Sequence, residues 1–181
     1  METPLNGPDV GPPTLERIRR APKVLLHDHL DGGLRPSTII ELADETGYAD
    51  LPTADADELA AWMLRGANRK DLTLYLETFA HTVGVMQTAP AIERVARECA
   101  EDLTADGVVY AEIRFAPELH TERGLSLDAV IEAVITGFEA GASGTDLTIR
   151  IICSAMRHLD RGLEIAQAAI RHRDHGVVGF D

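Results

Sequence analysis

Cysteine is scarce in this chain. Only Cys99 and Cys153 occur in 181 residues. They stand far apart and form neither a CxxC nor a disulfide framework, so a reducing, cytoplasmic setting is expected. Basic residues are also in deficit: 17 Lys and Arg face 30 Asp and Glu, for a formal net charge of −13. An acidic surface repels a polyanion, which argues against nucleic acid as a partner. No apolar run approaches the roughly 20 residues that span a bilayer, so no membrane partner is expected. The N-terminus has no basic start followed by an apolar core, so no signal peptide is expected. P-loop, GxGxxG, GxSxG and HExxH motifs are all missing, and with them the nucleotide-cradle, elbow-serine and zincin readings. No internal repeat of 20–50 residues stands out.

What remains is a chain with 45% hydrophobic residues, long enough for one compact domain with a sizeable core. Residues 1–13, rich in Pro and Gly, read as a flexible tail, leaving 14–181 as the domain. Thr14 suits the cap of a short helix over Leu15–Arg20, which Pro22 closes. Helical spacing then predicts helices over Pro36–Thr46, Asp55–Arg65, Asp71–Val83, Ala91–Thr104, Ser126–Ala140 and His158–His172. Gly141–Gly144 is expected to end the fifth of these. Buried strands are predicted from Lys23, over Val108–Ala116, over Leu147–Ala155 and from Val177 to Asp181. The strands are apolar nearly throughout and alternate with helices, which is the α/β pattern of a parallel sheet buried on both faces. Two architectures fit: an open doubly wound sheet, or about the first four β/α units of a (β/α)8 (TIM) barrel, which needs about 250 residues in full.

In both architectures ligands sit at the carboxyl ends of the strands. The first strand ends in HDHLDGG, with His27, His29 and Asp31. Alternation puts His27 and His29 on one face, where two neutral imidazoles can grip a metal ion from one side. Asp28 then faces the other way and needs a partner such as a basic side chain. A catalytic zinc takes three protein ligands, and the pair supplies two. Asp181 and His158, at other strand ends, are candidates to approach it. Arg114, Glu118, Ser154, Met156 and Arg157 also collect at strand ends. Each has a plainer reading: Arg114 with Glu112 as a buried ion pair, Arg157-His158 as a turn cap, Tyr75 and Phe79 as ordinary core at helical spacing. His81, His120, His172 and His175 read as solvated surface.

Four blocks carry a resemblance: KVLLHDHLDGG (23–33), GVVYAEIRFAP (107–117), IRIICSAMRH (149–158) and VVGFD (177–181). In this order they resemble the adenosine deaminase family of the metal-dependent hydrolase superfamily. That resemblance implies a (β/α)8 barrel, one Zn2+, and hydrolytic deamination of adenosine or 2'-deoxyadenosine to inosine or 2'-deoxyinosine and ammonia. It implies that His27 and His29 are zinc ligands, that His29 also lies against substrate, and that Asp31 holds the ribose 5'-hydroxyl. Tyr75 and Phe79 resemble the apolar wall of the substrate pocket. The partner implied is a small purine nucleoside. Adenine deaminases of the superfamily usually show Glu where Asp31 stands, so Asp31 favours the nucleoside; adenine or another aminopurine is the alternative substrate. The family's third histidine ligand, its general-acid glutamate, a further histidine and an aspartate pair are expected beyond Asp181. No catalytic residue is therefore assigned within the chain, which is expected to be an inactive N-terminal half needing the C-terminal half of the barrel. A non-catalytic half-barrel binding module is the rival reading.

Overall fold

The computed structural model describes residues 12, 14–68 and 72–181. The expected flexible tail therefore lies almost wholly outside the described residues.

Four parallel strands form one sheet: β1 (Lys23–His29), β2 (Val108–Phe115), β3 (Thr148–Cys153) and β4 (Val177–Phe180). Their spatial order is the chain order, β1-β2-β3-β4, and every pairing is parallel. A doubly wound sheet reverses direction at a switch point, whereas barrel strands follow one another without reversal. The open doubly wound alternative is therefore set aside, and the architecture is a partial α/β barrel.

Helix α1 (Leu15–Arg20) begins at Thr14, whose hydroxyl accepts the Arg17 N–H. Helix α2 (Pro36–Thr46) has Pro in its first turn, where no N–H partner is lost, and stops at Gly47, whose φ of 70° is left-handed. Helices α3 (Ala56–Ala67), α4 (Leu72–Val85) and α5 (Ala89–Ala105) complete the long crossover to β2. Asp55 caps α3 and Thr88 caps α5 through side-chain oxygens. Helix α6 (Leu127–Ala142), capped by Ser126, and α7 (Gly162–Arg171) make the later crossovers.

One face of the sheet packs on the helices. Ala111, Ile113 and Phe115 of β2, with Ile151 and Cys153 of β3, bury against Ile92, Val95 and Ala96 of α5 and Val130, Ile131 and Val134 of α6. The alternate residues of β2, Tyr110, Glu112 and Arg114, lie on the other face and are half-buried. On that open face Val24 and Leu26 keep 61% and 56% exposure, and Val178 is also exposed. Phe180 pairs with Cys153 on the helix-side face and is exposed at the sheet edge.

Several expectations need correction. Helix α6 runs through Gly141, because that glycine packs against the Arg97 carbonyl of α5 instead of ending the helix. Helix α7 starts at Gly162, not His158. Residues 157–161 form a turn, fixed by the Leu159 N–H on the Met156 carbonyl and by the Arg161–Glu164 fork. Arg114 pairs with Asp181, while Glu112 accepts the Tyr110 hydroxyl. His120 and His172 are buried and His81 is half-buried, because each has a fixed partner: Met86 O, Asp128 and Tyr48. His175 is exposed, as expected.

Candidate active site

The site is built on an irregularity in β1. Leu25 pairs with Ala111 and Asp28 with Ile113, so β1 carries one residue more than β2 over this stretch. Such a bulge shifts every later side chain to the opposite face. Strict alternation from Val24, which pairs with Tyr110 on the open face, would have turned His27 and His29 toward the helices. Instead His29 pairs with Arg114, on the open face. The two imidazoles lie side by side, ring centroids 5.5 Å apart and tilted by 45°. Asp28 faces the helix side opposite Ile113. Its partner is not the expected basic side chain: its Oδ1 accepts the His29 backbone N–H at 2.9 Å.

A 3-10 turn, Leu30–Gly32, follows at once. Leu30 plugs the core at 1% exposure, and this anchors Asp31 at 6%. Burial pushes the Asp31 carboxyl pKa up, against the opposing pull of His29. Its Oδ1 has no hydrogen-bond partner among the described residues. Helix α4 supplies the facing wall. Tyr75 and Phe79 meet edge to face, 5.3 Å between centroids. A cavity of about 340 Å³ is lined by His27, Asp28, His29, Gly32, Tyr75, Leu76 and Phe79. Asp31 lies in an adjoining cavity of about 290 Å³ with Met63, Leu64 and Thr78, and Gly32, Tyr75 and Phe79 border both. A larger space of about 670 Å³ beside Tyr48 and Leu51 contains no histidine, and the chemistry points away from it.

The wall is fixed from behind. Gln87 donates to Val83 O and Leu119 O and accepts the Glu122 N–H, tying the end of α4 to the turn after β2. His120 meets the Met86 carbonyl at 3.0 Å, and the Tyr48 hydroxyl lies 3.0 Å from His81 Nδ1. At the strand ends Arg114 donates to Asp181 at 2.6 Å, and Glu118 accepts the Met156 N–H at 2.6 Å. Gln87, His120 and the Arg114–Asp181 pair were missed from sequence. Only Arg114 left a signal, its place on the Tyr110–Glu112–Arg114 face.

The structure thus brings His27, His29, Tyr75 and Phe79 together and sets Asp31 next door. It does not bring a third metal ligand. No group of three or more His, Cys, Asp and Glu is arranged to hold an ion among the described residues. Asp181 is engaged by Arg114, and His158 stands exposed in the turn before α7. Two imidazoles on one face are zinc-type donors, and they fit as two of a zinc ion's ligands.

Residues 22–181 match the family model described as Adenosine deaminase. An adenosine deaminase of Mycolicibacterium gilvum is 64% identical over 175 residues, covering 94% of this chain and 48% of that protein. The chain spans about half the length of the curated relatives it matches. Among solved structures, an N6-mAMP deaminase from Arabidopsis is similar with a TM-score of 0.77 and 28% identity, over 92% of this chain and 51% of that one. An adenine deaminase from Arthrobacter aurescens is similar with a TM-score of 0.74 and 28% identity, over 88% of this chain and 48% of that one.

Proposed function

The chain belongs to the adenosine deaminase family, and from that premise we propose that it forms the histidine-pair half of a zinc-dependent site that deaminates adenosine or 2'-deoxyadenosine to inosine or 2'-deoxyinosine. The observation that carries this reading is the pairing of His27 and His29 on one face, opposite an aromatic wall. Held there, a zinc ion would supply Lewis-acid activation of water as the nucleophile for the amino-bearing purine carbon. His27 and His29 would hold the ion, and His29 would also touch the substrate. Tyr75 and Phe79 supply the apolar surface against which a flat purine packs and from which water is excluded. Asp31 offers an unpaired carboxylate oxygen to a sugar hydroxyl. A buried acceptor gains a partner when that hydroxyl arrives, and discriminates against a ligand without one.

The chain supplies two ligands and no general acid, so on this reading it turns over no adenosine alone and requires a second half-barrel. The open sheet face with Val24, Leu26 and Val178, together with the exposed edge at Phe180, is where such a half would pack. A reducing cytoplasm suits the free thiols Cys99 and Cys153. No helix among the described residues is long and apolar enough to cross a membrane.

Zinc uptake tests the metal assignment. Metal analysis after gel filtration is expected to find zinc with the wild-type chain and a loss of at least about tenfold in His29→Ala, since even an outer-shell partner of a metal ligand is worth about 10–100-fold in affinity. Equal zinc in both would end the assignment. The likeness to an adenine deaminase keeps the free base as a second substrate reading. Equilibrium dialysis separates the two: inosine retained in preference to hypoxanthine supports the nucleoside, and the reverse overturns it.

A further inference from the structure

We propose that Asp28 is the positioning residue of the histidine pair: by accepting the His29 backbone N–H, its carboxylate holds the bulged strand end that turns both imidazoles onto the open face. The role of His27 and His29 as metal ligands rests on the function proposed above, but the role of Asp28 in placing them does not.

Position 28 is an unfavourable place for a carboxylate. It pairs with Ile113, on the face that packs against helices, and it is half-buried. Its neighbour Cys99 feels it: burial first and the Asp28 charge second push that thiol up to about 12. An apolar side chain would suit the surroundings, and a charge there carries a desolvation cost. The one hydrogen bond described for the Asp28 side chain is to the amide of the next residue, at 2.9 Å. A carboxylate on a backbone N–H makes a charge-assisted bond. Asp and Asn are the residues whose short acceptor arms reach local backbone donors, which Ala, Leu and Val cannot do.

The location of that bond gives it consequence. The extra residue lies between Leu25 and Asp28, so Asp28 is the first residue back in register. Without the bulge, His29 would fall on the face of Ile113 and Phe115 and the pair would be lost to the core. A bulge interrupts the ladder and leaves backbone groups unpaired. Just past that interruption the Asp28 carboxylate accepts the His29 N–H and restrains the peptide joining Asp28 to His29. The same rotation that points the carboxylate toward its own helix-side neighbour points both histidines away from it, because residues 27 and 29 flank it on a period of two.

Asp28→Ala and Asp28→Asn in the 181-residue chain test this, with circular dichroism melting to confirm that each variant is folded. The first measurement is the nuclear Overhauser contact between the His27 and His29 rings in metal-free protein. It is expected in wild type and Asp28→Asn, whose amide oxygen accepts the same N–H, and lost in Asp28→Ala. The second is zinc affinity by competition with a chromophoric chelator, expected to fall by about tenfold or more in Asp28→Ala and to stay near wild type in Asp28→Asn. Ring contact and zinc affinity both intact in a folded Asp28→Ala would overturn the inference. So would an Asn variant as impaired as the Ala variant, which would assign the effect to charge. If no variant takes up zinc but ring contact follows the expected pattern, the zinc reading fails and the placement role of Asp28 stands.

Discussion

Gly137→Ala is expected to destabilise the chain by about 3 kcal/mol, lowering its melting midpoint by about 6–12 °C. A Cβ at this position would sit 2.3 Å from the Glu93 carbonyl and 2.6 Å from the Ala96 Cβ. One turn on, a Cβ at Gly141 would sit 2.3 Å from the Arg97 carbonyl and 2.8 Å from Ala100 Cβ. Glycines on α6 thus meet alanines and bare carbonyls on α5, with backbone against backbone. A carbonyl cannot rotate away as a side-chain tip can, so α6 must shift, and its core residues Val130, Ile131 and Val134 shift with it. Gly162→Ala is the control. Nothing lies within 4 Å of the place its new methyl group would take and no positive φ is needed there, so the change is expected to stabilise by about 0.5 kcal/mol through the unfolded chain. Equal melting of the two variants would show that α5 and α6 are not in backbone contact.

His120 is expected to make the chain acid-labile by about 3 kcal/mol. The ring is fully buried, its Nδ1 faces Met86 O, and its Nε2 has no partner among the described residues. Burial pushes its pKa down to about 4, against the usual 6.5. The folded state therefore keeps the ring neutral where the unfolded chain protonates it. Stability is full above pH 6.5, declines as pH falls toward 4, and loses nothing more from this group below that. His81, also depressed by burial, acts in the same direction, while Asp31, whose pKa is raised, opposes it. Urea unfolding of wild type and His120→Asn between pH 7 and pH 4 isolates the His120 contribution, since the other groups are common to both. The Asn variant starts less stable because it leaves space, but its acid limb is expected to be flatter. Parallel pH profiles would refute the assignment.

Much of the fold was legible because its signals are local. Pro36 and Gly47 bracket α2, Thr14, Asp55 and Ser126 mark helix starts, and the apolar runs at 108–116 and 147–155 mark strands. The histidine pair was legible for the same reason, two residues at a period of two. What failed depends on distant partners. Whether His120 is buried is decided by the turn after β2 folding under α4, and a lone histidine in sequence gives no hint of it. The bulge in β1 exists only relative to β2, so no pattern within residues 23–29 shows that the pair needed it. Arg114 was matched to Glu112 because they are close in sequence, whereas its partner Asp181 lies at the end of another strand. Gly141 looked like a helix stop because its use, a close approach to Arg97 O, belongs to another helix.

The sequential order of the strands also sets a timetable for folding. Partners in β2–β3 and β3–β4 are about 40 and 25 residues apart, but those in β1–β2 are about 85 apart, with four helices between. Closing the longest loop costs the most entropy, and the reward comes late. The nucleus is therefore expected among β2, β3 and the α5–α6 contact, with β1 zipping on afterwards. During synthesis the strand that carries the histidines leaves the ribosome first and finds its place last.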